Sequence, residues 1–179
     1  EQQFSHQREY VNRAEINHLN GSLSVSYKTL LETAEVISID SRSMMRPRAD
    51  QPLQNFHATI ERRFEALQLN GSVNSIYLFN QAGKLAGFCG DKVNIPTVSV
   101  LQVIQTERPL RQLVCTSVCV RYVLVPLLLD EHQVGVLMVG SLLYDVIYAI
   151  KQQTLLDIGL ALRAPNQAGE LHEWGLLLS

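Results

Sequence analysis

The chain has 179 residues, 46% hydrophobic and 18% charged, with 15 basic against 17 acidic side chains and a formal net charge of -2. That length suits one well-cored domain, or one domain and part of another. The balance of charge offers no basic surplus to hold nucleic acid and no acidic tail, so charge assigns no partner.

Residues 1–45 read as one long helix. Ile16, Leu19, Leu23, Tyr27, Leu30, Ala34 and Ile37 step by three or four residues and draw a single apolar stripe. A helix of that length spans on the order of 60 Å, more than a compact domain needs for its own core. The excess predicts a projecting part, packed on a second copy through the Ile16–Ile37 stripe or leading toward a membrane. Two prolines in Arg46–Pro52 disfavour continuing the helix, so this stretch reads as a loop. Leu53–Leu69 reads as a second helix, with Phe56, Ile60, Phe64 and Leu67 on one face and Asn70-Gly71 as its stop.

Ser75–Phe79 has strand character, Asn80–Gly83 is a turn, and Lys84–Cys89 is the returning strand. Gly90–Pro96 is loop and Thr97–Thr106 a short helix across the sheet. From Arg111 to Ile147 the chain is at its most apolar. Cys115 and Cys119 open this segment, an apolar run reaches Leu129, Asp130–Gln133 breaks it, and a second run covers Val134–Val139. This is a hairpin at the centre of a sheet, followed by a helix from about Tyr144 to Gln153. Asp157–Arg163 and Leu171–Leu178 resemble short strands around a turn-rich Ala164–Gly169, and they fit the preceding sheet poorly. The order of elements is α+β with an antiparallel sheet.

The chain begins inside a helical pattern without Met and ends on Leu176-Leu177-Leu178-Ser179. It reads as a portion of a longer protein, a soluble ectodomain between flanking spans. No apolar stretch reaches the roughly 18 residues of a membrane span.

Chemistry-bearing motifs are few. Cys89, Cys115 and Cys119 with His6, His18, His57, His132 and His172 form no recognisable catalytic signature. The Cys-x3-Cys pair has no second pair at zinc-finger spacing, so no metal is assigned. There is no phosphate-cradling glycine loop, and therefore no cofactor is expected. Held extended, Cys115 and Cys119 would lie about 13 Å apart, too far for a bond, whereas a turn at Thr116–Val118 would bring them together. A disulfide and two buried thiols are both consistent with the spacing. Arg121 and Tyr122 stand out inside an apolar run, because a buried charge needs a compensating partner or ligand. Tyr77 and Phe79 share one face of their strand by alternation, with Phe88 on the returning strand. A guanidinium near aromatic rings suits a carboxylate or another anionic small ligand. Alternatively, Arg121 sits at a strand end and pairs with a surface carboxylate.

The pattern Cys115-x3-Cys119-x6-Pro126, then Gly135-Val136-Leu137, Gly140-Ser141-Leu142 and Asp145, resembles extracytoplasmic PAS-like sensor domains of the Cache (PDC) family. It is most similar to those preceding diguanylate cyclase and phosphodiesterase domains. The resemblance covers about residues 75–150 well and the preceding helices more loosely. It implies a long N-terminal helix packed on an antiparallel PAS-like sheet with cover helices. It also implies a ligand on one sheet face, with Tyr77, Phe79, Phe88, Arg121, Tyr122 and Ser141 as pocket residues by strand position. The aromatic–arginine–aspartate signature of amino-acid-binding members has no clear form here.

The resulting expectation is a non-catalytic, periplasmic ligand-sensing part of an inner-membrane signalling protein that governs cyclic di-GMP turnover. Residues 1–45 would be the dimerising and signalling helix, 46–154 the sensor core, and 155–179 the start of a second unit. It would bind a small molecule, pair as a homodimer through the N-terminal helix, and report ligand or redox state through helix packing. The competing expectation is a protein-interaction or dimerisation module with no small ligand.

Overall fold

The computed structural model describes residues 2–42, 52–71, 73–91, 97–115, 118–129, 132–154, 158–162 and 174–178. The Arg46–Pro52 and Ala164–Gly169 loops read from the sequence lie wholly or almost wholly outside them. By compactness the chain forms two units, one from residues 26–145 and one from residues 1–25 with 146–179.

In the first unit, α1 (Gln2–Arg42, of which residues 26–42 belong here) and α2 (Pro52–Gly71) precede a five-stranded antiparallel sheet. Pro52 opens α2, where its missing N–H costs nothing. The strands are β1 (Ser75–Asn80), β2 (Leu85–Gly90), β3 (Leu110–Cys115), β4 (Cys119–Leu129) and β5 (His132–Leu142), in the order β2-β1-β5-β4-β3. The Asn80 side chain shapes the first turn, its Oδ1 accepting from the N–H groups of Ala82 and Lys84, each at 3.0 Å. Gly83 completes that turn at φ 70°, a conformation few other residues adopt.

Helix α3 (Thr97–Thr106) has the bounds expected from its apolar spacing. It ends on Glu107, at φ 52°, whose N–H donates to the Val103 carbonyl at 2.9 Å, and Pro109 prevents continuation. The sequence leaves open whether the segment around Cys115 and Cys119 turns or stays extended; the structure pairs 110–115 with 119–124 as two antiparallel strands. β3 and β4 pair from Leu110↔Leu124 to Cys115↔Cys119, so β3 adds a fifth strand at the sheet edge. Pro126 lies past the last β3 pair, on the stretch of β4 that bonds only to β5, and so blocks no ladder bond. The hairpin of β4 and β5 does include the sheet's central strand, β5.

Two cores flank the sheet. On one side Leu30 and Ala34 of α1 and Phe56 and Ile60 of α2 bury Ile76, Leu78, Val123, Val125, Leu137 and Val139. On the other, Val100 and Val103 of α3 cover Phe79, Leu124, Val136 and Met138. The α1 stripe expected to meet a second copy is thus occupied, from Tyr27 to Ile37, by the chain's own sheet. Among the α1 residues whose burial is described, the exposed large apolar ones are Val25, Val36 and Ile39.

The other unit contains the last residues of α4 (Leu143–Thr154) and a two-stranded antiparallel pair, β6 (Ile158–Leu162) and β7 (Trp174–Leu178). These two strands form a sheet of their own. No helix among the described residues is long and apolar enough to cross a membrane.

Candidate ligand site

Strand alternation decides which pocket residues can meet. Tyr77 and Phe88 face each other across the β1–β2 ladder, on the α3 side of the sheet, and their rings stack at 6.3 Å. Phe79 stacks on Tyr77 at 6.5 Å, and Tyr122 of β4 meets its edge at 6.2 Å. Tyr77 is buried and its hydroxyl donates to the Asp91 carbonyl, while Phe88 remains 40% exposed at the sheet's edge. Four of the six expected residues therefore form one aromatic group.

Arg121 and Ser141 do not join it. They are register partners on β4 and β5, one residue along from Tyr122 and Gly140, and alternation turns them to the α1 side. Arg121 is 3% exposed; its Nη2 donates to Ser141 Oγ at 3.0 Å and its Nη1 to Ser26 Oγ on α1. The guanidinium lies 5.4 Å from the Tyr27 ring centroid, and the Arg111 guanidinium lies 5.8 Å from the same ring. Burial lowers the Arg121 pKa, against which Tyr27 and Asp145 hold it up; burial also raises the Tyr27 pKa. Two hydroxyls and the Tyr27 ring face this charge, Asp145 attracts it, and its Nε is left without a partner among the described residues.

Two further polar residues, Ser75 and Gln112, belong to the α3 face. The ladder places Ser75, Gly140, Tyr122 and Gln112 in one row across β1, β5, β4 and β3. Among the described residues Ser75 Oγ, Tyr122 OH and Gln112 Oε1 are buried without a well-formed hydrogen bond, as is Arg121 Nε on the α1 side, although the Ser75 and Tyr77 hydroxyls lie close to that of Tyr122. Gly140 lets the first two approach, since a Cβ there would lie 2.4 Å from Tyr122 Cε1 and 2.5 Å from Ser75 Oγ. Burial pushes the Tyr122 pKa up to about 12; the Ser75 hydroxyl pulls it down, and Tyr77 and Asp91 add to the rise. Ser75 is legible in the sequence as a polar residue at the inward parity of Tyr77. Gln112 is legible only once β3 is recognised as a strand.

Cys115 and Cys119 are joined in a disulfide, with Cα atoms 4.0 Å apart, at the end of the β3–β4 ladder. Cys89 is buried and free. Burial, with Glu61 nearby, raises its pKa. His57 of α2 sits over Gly87, with Nε2 3.1 Å from the Phe88 carbonyl and 4.0 Å from Cys89 Sγ. It ties α2 to the strand that carries Phe88. Among the described residues no group of three or more His, Cys, Asp or Glu is placed to hold a metal ion.

A family model described as the double sensory domain of two-component sensor kinases matches residues 19–174. The chain belongs to this double Cache family. Such domains are extracytoplasmic, ligand-binding and not themselves catalytic. Among solved structures, this Cache domain is similar to the ligand-binding domain of the Pseudomonas aeruginosa amino acid chemoreceptor PctC in complex with GABA. That match has a TM-score of 0.58 and 11% identity, over 86% of this chain and 71% of that one. The sensor domain of the Vibrio cholerae histidine kinase DctB follows at TM-score 0.56 and 11% identity, over 83% of this chain and 61% of that one. The sensory domain of the Campylobacter jejuni chemoreceptor Tlp3, with isoleucine bound, matches at TM-score 0.52 and 11% identity, over 83% and 67%. At such identities the likeness concerns the fold. No curated protein matches the chain in sequence.

Proposed function

We propose that this Cache domain is the periplasmic sensor of an inner-membrane signalling protein, and that its ligand binds on the α3 face against Tyr77, Phe88 and Tyr122. The observation that carries this reading is the clustering of these rings beside the buried polar side chains of Ser75 and Tyr122 and the Oε1 of Gln112. Rings set among a few buried polar groups are the usual lining of a small-molecule site. Residues 155–179 are read as the beginning of the second module that a double sensory domain contains. The similarity of the Cys115–Asp145 pattern to sensors of cyclic di-GMP enzymes supports turnover of that nucleotide as the output.

Transmission requires that the ligand bind two arrangements of the protein with different affinity. The two functional rows supply a short route. Tyr122 of the ligand face is bonded through one peptide to Arg121, whose guanidinium holds Ser26 of α1. A strain on Tyr122 is therefore felt at the signalling helix without a long chain of intermediates. Homodimerisation is assigned to the outer side of α1, where Val36 and Ile39 are 64% and 60% exposed.

Native mass spectrometry of the purified domain, before and after a metabolite screen, tests the sensor reading. A bound small molecule that is lost in Phe88→Ala is the expected result. A domain that never retains one, in a screen that includes crude cell extract, argues for an interaction module instead. Cyclic di-GMP measured in cells expressing the full protein tests the output: levels unchanged between wild type and Arg121→Met would remove that assignment.

A further inference from the structure

The Cys115–Cys119 bridge lies on the same side of the sheet as Arg121. Alternation along β4 sets Cys119 and Arg121 on one face, about 7 Å apart along the strand, and the ladder pairs them with Cys115 and Leu113 of β3. Arg111 of β3 shares that face by the same rule, and its guanidinium meets the Tyr27 ring of α1. Arg121 reaches α1 as well, through Ser26 and the same Tyr27 ring. Because β3 stands at the edge of the sheet beside β4, whatever fastens β3 to β4 also holds Arg111 against α1.

Three properties suit this bridge to exchange rather than to permanent fastening. Both cysteines are half-buried and Val118 between them is 57% exposed, so a small thiol can reach the sulfurs. The bridge spans a sequence separation of 4, and so short a loop gains little by restricting the unfolded chain; the sheet can persist without it. Cys89 is buried on β2, toward the other edge of the sheet and three to four strand spacings away, roughly 14–19 Å, so it cannot capture either sulfur. The pair therefore has two folded states, bridged and dithiol, and no mispaired third.

We infer that Cys115 and Cys119 form a redox input, opened by a dithiol, whose state alters the hold of β3 and β4 on α1. A thiolate of the dithiol attacks one sulfur, the Cys115–Cys119 bond breaks as a mixed disulfide forms, and the second thiol of the reagent then displaces the attacked cysteine. Two electrons pass to the pair, which ends as two thiols, and the dithiol ends as a disulfide. With the bond gone, the end of the hairpin is held by its ladder alone, and the contacts of Arg121 and Arg111 with α1 loosen. This input shares only α1 with the ligand reading and adds a second stimulus to it.

Hydrogen exchange read by mass spectrometry, on the folded chain with and without dithiothreitol, tests this, with thiols counted by alkylation. Two thiols are expected to appear, at Cys115 and Cys119, while Cys89 stays unlabelled. Exchange at residues 110–115 and 119–121 should quicken about tenfold or more, and with it exchange at residues 26–34 of α1, while β1 and β5 stay unchanged. Oxidised dithiothreitol should restore the first pattern. Cys115→Ser/Cys119→Ser should show the dithiol pattern throughout and ignore the reductant. A bridge that resists dithiothreitol in the folded chain overturns the proposal. So does quickening confined to the hairpin with α1 unchanged, and so does quickening that spreads to β1 and β5, which marks a structural fastener. None of these readouts involves a ligand, so failure here leaves the reading of the α3 face where it stands.

Discussion

Tyr122 shows how much a single residue's setting depends on its neighbours in the sheet. Its phenol ionises near 10 when exposed and near 12 in the folded domain. Between those values the unfolded chain gives up the proton first, so this contribution to stability is complete below pH 10 and is lost as pH rises toward 12. Two pKa units correspond to about 2–3 kcal/mol. Tyr27 and Cys89 are shifted in the same direction, so the fall in the wild type belongs to all three. Tyr122→Phe isolates one share. Its urea midpoint, compared at pH 8 and pH 11, should fall less than that of the wild type, and equal falls would dismiss the burial argument. At this scale the sequence is informative wherever parity operates. Tyr77 and Phe79 share a face because they are two residues apart, and the same rule separates Tyr122 from Arg121. Ser26, the partner of Arg121, is 95 residues away and follows no local rule.

The β3–β4 turn shows what reading by element captures and misses. α3 was legible to the residue because one apolar face and a proline just beyond its end define it. β3 was not, since Arg111 and Gln112 interrupt its apolar alternation and only pairing with β4 makes it a strand. The Cys115–Cys119 bridge fastens that pairing at its closed end. It encloses a very short loop, so opening it should cost only about 2 kcal/mol by chain entropy. For a domain of this size that is a loss of roughly 4–8 °C in Tm. Calorimetry with and without a phosphine reductant measures this. A Cys115→Ser/Cys119→Ser variant should melt with the reduced protein and become insensitive to the reductant. A reduced domain that no longer folds would instead make the bridge essential to the sheet.

For the molecule as a whole, the apolar stripe of α1 was visible in the sequence but its destination was not. A stripe three or four residues in period fits a second helix and a sheet equally well. The structure sets Leu30, 4% exposed, into the sheet's own core and leaves Val36 outside. Leu30→Asp should therefore cost more than about 4 kcal/mol and unfold the domain, because it buries an unpaired charge. Val36→Asp should change stability by less than about 0.5 kcal/mol and act only on self-association in sedimentation. Equal melting temperatures for the two variants would place the stripe in an intermolecular interface after all. The one-residue offset between the rows on β4 and β5 has a consequence for engineering. The aromatic cluster of Tyr77 and Tyr122 occupies one parity of the strands, and the contact of Arg121 with Ser26 of α1 occupies the other. Side chains at 75, 112 and 122 can thus be exchanged without removing the Arg121 contacts to Ser26 and Ser141, so one face of the sheet can be re-cut while the other keeps its hold on α1.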